Sequence, residues 1–112
     1  MTDKIVDIAA LQRLYATILQ RRNTDSTKSY TAKLLESGPS ACAQKLGEEA
    51  IETIIAGLSN DKGAAAAESA DLLYHLFAFW ASIDLHPDEV MKKLADREGV
   101  SGIVEKNARP KS

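Results

Sequence analysis

Apolar residues recur at spacings of three and four through most of the chain. Ile5, Ile8, Leu11, Leu14, Tyr15, Ile18 and Leu19 form one such stripe, which predicts a helix from Ile5 to about Arg22, capped by Thr2 or Asp3. A polar, turn-like stretch follows over 23–28. Residues 29–36 read as a short helix, with Ser29 as its cap and Ser37-Gly38 as its stop. Pro39 sits where a first-turn proline belongs, and the next helix runs from about Ser40 to Leu58. The stretch 59–63 is the one plausible break before a helix from about Ala64 to Ile83. His86-Pro87-Asp88-Glu89 opens a last helix to about Glu98, with Pro87 at its first position and acids in its first turn. Gly99 and Gly102 then interrupt the pattern, and the tail to Ser112 is polar and basic. No segment alternates with period two over the length of a strand. The expectation is an all-α fold in a single domain over 1–112: a four- to five-helix bundle built on an antiparallel central hairpin.

Composition supports helices and sets limits on partners. Aromatic residues make up only 5% of the chain while alanine is abundant, which favours closely packed helices over a β-sandwich. At 112 residues the core is small. The apolar arcs of the two central helices exceed what one short helix could cover, so a homodimer or higher homo-oligomer is expected. A net charge of −2 carries no basic excess of the kind a duplex nucleic-acid binder shows. No run of about 20 apolar residues offers a membrane span, and the first residues, Met1-Thr2-Asp3-Lys4, lack the apolar core of a signal peptide. Cys42 is the single cysteine, so no intrachain disulfide forms and a reducing, cytoplasmic setting is expected. Cys42 reads as a small apolar filler.

The informative segment is Lys45-Leu46-Gly47-Glu48-Glu49-Ala50-Ile51-Glu52. At about 100° per residue, Lys45, Glu48, Glu49 and Glu52 fall within an arc of about 100° on an otherwise apolar helix. In the following helix Glu68 and Asp71 are three apart and share a face, with His75 one turn further on. In an antiparallel hairpin turning near Asn60, residues whose numbers sum to about 120 lie level. Glu49 then faces Asp71 and Glu52 faces Glu68. Four facing carboxylates repel one another in a low-dielectric site, and isolated buried carboxylates normally pair, protonate or bind a metal. A hard divalent cation with oxygen ligands resolves the conflict, and Mg²⁺ is its natural identity where waters and phosphate oxygens complete the shell. A solvated acidic face is the competing reading of either motif alone; the matched register is what favours a metal.

These residues resemble the signature of the all-α, MazG-like NTP pyrophosphatase superfamily: Glu48-Glu49-x-x-Glu52 followed by Glu68-x-x-Asp71. Ser29-Tyr30-Thr31-Ala32-Lys33-Leu34, Gln44-Lys45-x-Gly47-Glu48-Glu49, Asp71-Leu72-Leu73-Tyr74-His75-Leu76 and Ser101-Gly102-x-x-Glu105-Lys106 are similar to the phosphoribosyl-ATP pyrophosphatase family within it. The similarity spans about Leu11 to Arg109. Asn107 departs from the small residue usual there. The resemblance implies Glu49, Glu52, Glu68 and Asp71 as metal ligands, with Glu48 and Glu49 as catalytic candidates; Glu48 is a further ligand or orients a water. It implies hydrolysis of phosphoribosyl-ATP to phosphoribosyl-AMP and pyrophosphate, the second step of histidine biosynthesis, with Mg²⁺ as cofactor. It also implies a dimer whose second subunit completes the site. A house-cleaning nucleoside triphosphate pyrophosphohydrolase of the same superfamily is the alternative. No fused cyclohydrolase is expected, because one cysteine and two histidines offer no cysteine-rich zinc site.

A polyphosphate substrate also needs cations. Lys33, within the family-like segment, is a candidate for substrate contact, as are Lys106 and Arg109 of the tail. Lys45 either meets a phosphate or pairs with Glu49 four residues on. Arg21 and Arg22 are candidates too, with compensation of the helix dipole as the competing reading. His75 is assigned beside the metal ligands, against the alternative of a packed core histidine. Tyr74 is expected in the core. Phe79 and Trp80 are expected to pack or to meet a second subunit.

Overall fold

A computed structural model describes residues 6–99 and 108–109. The described residues form five helices and no strand: α1 (Ala10–Arg21), α2 (Tyr30–Glu36), α3 (Pro39–Leu58), α4 (Lys62–Ser82) and α5 (Pro87–Asp96). The all-α expectation therefore holds. None of these helices is long and apolar enough to cross a membrane.

The chemistry of the boundaries explains the elements. Ser29 Oγ accepts from the Ala32 N–H at 3.2 Å and so caps α2. Gly38 ends α2 and leads into α3 at φ +91°, a left-handed value that glycine adopts without a Cβ clash. Pro39 then occupies the first position of α3. Asn60 turns the central hairpin at φ 64°, and Asp61 caps α4 by accepting from Ala64 N at 3.0 Å. This cap starts α4 at Lys62, two residues earlier than the apolar pattern suggests. His86 caps α5 with its own ring: Nδ1 accepts from Asp88 N at 3.0 Å, and Glu89 returns a bond to His86 N. The first helix is the main departure. Among the described residues it starts at Ala10, with 6–9 outside the helix, since Val6 and Ile8 remain 96% and 83% exposed and gain little from a helical stripe. The proposed caps Thr2 and Asp3 lie outside the described residues.

The core sits around the C-terminal half of α4. One cluster joins Tyr15 and Ile18 of α1 to Phe77 and Ala81, and a second joins Leu34 and Cys42 to Ala78. Trp80 stacks on Phe77 with ring centroids 4.7 Å apart, and Phe79 packs on the second cluster. Cys42 is fully buried, and burial raises its thiol above the ordinary range. It is thus an inert filler. Tyr74 is half-buried and packs against the first cluster. Helices α3 and α4 form the most extensive pairing of the molecule. The buried residues of α3 and α4 are Cys42, His75, Phe77, Ala78 and Ala81, all on the core side of the hairpin. On both helices the acidic residues stand nearer the Asn60 turn than these buried residues do.

Candidate active site

The hairpin register brings the acids together. Glu49 of α3 and Glu68 and Asp71 of α4 each offer a carboxylate oxygen, all within 4.8 Å of one another. Glu49 and Glu68 are half-buried and Asp71 is exposed. Glu52 stands among them, close enough to act on both Glu49 and Glu68. Burial raises the Glu49 carboxyl above its ordinary range, and the carboxylates of Glu52, Asp71 and Glu68 raise it further. Glu68 is raised by burial first and by Glu52 next. Each of the two also buries an oxygen, Oε2, that has no hydrogen-bond partner among the described residues.

Buried, unpartnered oxygens in a cluster of carboxylates are costly in a folded protein. The donor set is all oxygen and clustered at one depth, which is the chemistry a hard divalent cation requires. These residues therefore fit such an ion.

Two side chains support the cluster. Thr53 Oγ1 lies 2.8 Å from the carbonyl of Glu49 and 3.1 Å from that of Glu68, so one hydroxyl addresses the backbone of a cluster residue on each helix. His75 is buried, with Nε2 3.9 Å from Glu49 Oε1 and Nδ1 unpartnered among the described residues. Burial lowers the His75 pKa first and Lys45 second, against the opposing influence of Asp71 and Glu48. The ring is thus neutral near pH 7. Tyr30, half-exposed, meets His75 edge-on at a centroid distance of 6.2 Å.

Glu48 lies on the same stripe but outside the converging three. Its carboxylate accepts from Gln44 Nε2 at 3.4 Å and pairs with Lys45 at 3.5 Å. The Lys45 ion pair thus forms with Glu48 rather than with Glu49. Lys33 and Lys45 share the wall of a pocket of about 350 Å³ between α2 and α3, with Tyr30 and Gln44.

The comparisons bear directly on this chemistry. Residues 11–98 match the model of the phosphoribosyl-ATP pyrophosphohydrolase family. A phosphoribosyl-ATP pyrophosphatase of Azospirillum brasilense is 54% identical over 97% of this chain and 98% of its own length. Proteins of the same name from Caulobacter sp. and Parvibaculum lavamentivorans are 55% and 52% identical, covering 89% and 92% of this chain and 92% and 94% of their own lengths. The chain belongs to the phosphoribosyl-ATP pyrophosphohydrolase family. That membership favours the specific enzyme over the house-cleaning alternative.

Within a member of this family the other cations fall into distinct places. Arg22 reaches across to Asp84 at 3.4 Å and donates to the carbonyl of Ala81, so it joins the end of α1 to the end of α4. Asp71 and Ala81 are ten residues apart on α4, about 15 Å along the helix. Arg22 therefore holds the fold at the end away from the acids. Arg21 is exposed in the last turn of α1, and Arg109 is exposed. Lys106 and the Ser101-to-Lys106 motif lie outside the described residues. Thr53 is the supporting residue that motif reading passed over. The signal was present: 53 and 68 sum to 121, which is level in the hairpin.

Proposed function

We propose that this chain hydrolyses phosphoribosyl-ATP to phosphoribosyl-AMP and pyrophosphate at the carboxylate cluster, using Mg²⁺ held by Glu49, Glu52, Glu68 and Asp71. The observation that carries the reading is the convergence of Glu49, Glu68 and Asp71, each with a carboxylate oxygen within 4.8 Å of the others, at residues of which two also bury an unpartnered oxygen. When bound, such an ion lowers the pKa of a coordinated water and neutralises phosphate charge. The protein's own groups do the rest. The neutral His75 ring stands 3.9 Å from Glu49 Oε1 and adds no positive charge to the site. Glu48, fastened to Gln44 and Lys45, stands one residue from the cluster and is placed to orient a water. Lys33 and Lys45 face the polyphosphate, and Lys106 and Arg109 of the tail are further candidates for it. Arg21 and Arg22 are the weaker candidates, since Arg22 already serves the fold.

A cytoplasmic homodimer completes the proposal. Ile51, Ile54, Ile55 and Leu58 form one stripe of α3 at 59–84% exposure, an apolar face of the kind a second copy of the hairpin would cover. The test of the reaction is pyrophosphate release from phosphoribosyl-ATP beside a panel of ordinary nucleoside triphosphates, with Mg²⁺ present. Release from phosphoribosyl-ATP alone is expected. Equal or faster release from the ordinary triphosphates would move the chain to house-cleaning chemistry.

A further inference from the structure

The pocket between α2 and the first half of α3 has no role in holding the acids together. Its volume is about 350 Å³, at the lower end of the ~300–1,000 Å³ typical of small-molecule sites. Lys33 and Lys45 line it beside Tyr30, Ser37 and Gln44, and no acidic residue does. Lys33 has no ion-pair partner among the described residues. Lys45 is engaged only in an exposed pair with Glu48, the kind of contact that yields readily to a stronger anion. The pocket is therefore a local cationic site in a chain of net charge −2.

Helix spacing and the ring contacts of His75 place it beside the acids. Lys45 precedes Glu49 by one helical turn, about 6 Å along α3. Lys45 also acts on His75, and the His75 ring is 3.9 Å from the Glu49 carboxylate. Tyr30, on the pocket wall, meets that ring edge-on. An anionic and a cationic site thus stand side by side, joined through His75.

Resting on the proposed substrate, we infer that this pocket seats the pyrophosphate half of the triphosphate, its β- and γ-phosphates, while the α-phosphate lies at the carboxylate cluster. The β- and γ-phosphates follow the α-phosphate directly in the chain, so one helical turn is the offset they need. The substrate's other phosphate, on the distal ribose, is separated from the triphosphate by two sugars and a base, and a neighbouring pocket suits it less. The charge distribution agrees. The pyrophosphate half carries most of the negative charge of the triphosphate, and the acidic cluster repels it unless cations stand next to that cluster.

The test is calorimetric binding of inorganic pyrophosphate, with Mg²⁺ in excess, to wild type, Lys33→Met, Lys45→Met and Lys33→Arg, with ribose 5-phosphate as the second probe. Lys33→Met and Lys45→Met should each weaken pyrophosphate binding by about tenfold or more, and Lys33→Arg should retain most of it. Ribose 5-phosphate binding should change little. Both lysines are exposed, and unchanged melting temperatures would confirm that the variants fold. Pyrophosphate affinity unaltered in both methionine variants would overturn the assignment, as would loss of ribose 5-phosphate binding in its place. Because this readout is binding, it stands apart from the substrate reading, whose own failure would appear as wild-type enzyme that leaves phosphoribosyl-ATP intact.

Discussion

The Thr53 hydroxyl has one proton and two carbonyls in reach, those of Glu49 and Glu68. It sets the spacing between two residues whose carboxylates must converge, so its removal should loosen the site before it loosens the fold. Thr53→Val is expected to lower metal affinity by about 10–100-fold, as loss of a supporting hydrogen bond typically does, while Thr53→Ser retains it. Metal-dependent thermal shift checks this; equal affinity in Thr53→Val and wild type would deny the role. Glu49 invites a second test at the same scale. Its pKa is raised in the folded protein by burial and neighbouring carboxylates. A raised folded-state pKa favours the native state below the unfolded value, about 4.3. That contribution is lost as pH rises through the folded-state value. Metal-free Glu49→Gln should therefore be more stable than metal-free wild type at pH 7.5, with the gap closing as pH falls toward the ordinary carboxylate range. Urea titrations at both pH values measure it. A gap that widens on acidification would contradict the assignment. The converging acids were legible in the sequence because a helical hairpin has a simple register: pairs summing to about 120 met as expected. The side-chain partner of Glu48 was not legible. Lys45 and Gln44 compete with the cluster for its carboxylate, and spacing alone does not say which wins.

At the scale of the elements, boundaries followed capping chemistry where the cap is a familiar one. Ser29, Pro39 and Pro87 did what their types predict. His86 is less usual. Its ring nitrogen Nδ1 accepts the Asp88 N–H, so the side chain itself is the cap, and Tyr15 rests edge-on against it at 5.3 Å. His86→Ala should cost about 1 kcal/mol of stability, the usual worth of an N-cap, with little effect on turnover, since α5 contributes nothing to the acid cluster. Chemical denaturation beside a rate assay tests both halves. The start of α1 was misread for a physical reason. Periodicity reports a face that could be buried, and Val6 and Ile8 find nothing among the described residues to bury them.

For the whole molecule the design is a core at one end and a working hairpin at the other. The core holds the C-terminal half of α4, and the hairpin carries its acids and its exposed Ile51, Ile54, Ile55 and Leu58 beyond it. That division was only partly visible in the sequence, since composition gave the need for more buried surface but not which face would supply it. The proposed dimer predicts that Ile54→Lys shifts the protein toward monomer in sedimentation velocity; a monomeric wild type at the same concentration would overturn it. The hairpin, on the proposed function, holds a metal ion against phosphoribosyl-ATP. The most direct measurement is pyrophosphate release from phosphoribosyl-ATP with Mg²⁺ and with chelator, in wild type, Glu49→Gln and Asp71→Asn. Metal-dependent release is expected, falling by more than about 100-fold in each variant, beyond the loss typical of a supporting residue. Release that survives chelator, or that both variants retain, would contradict it.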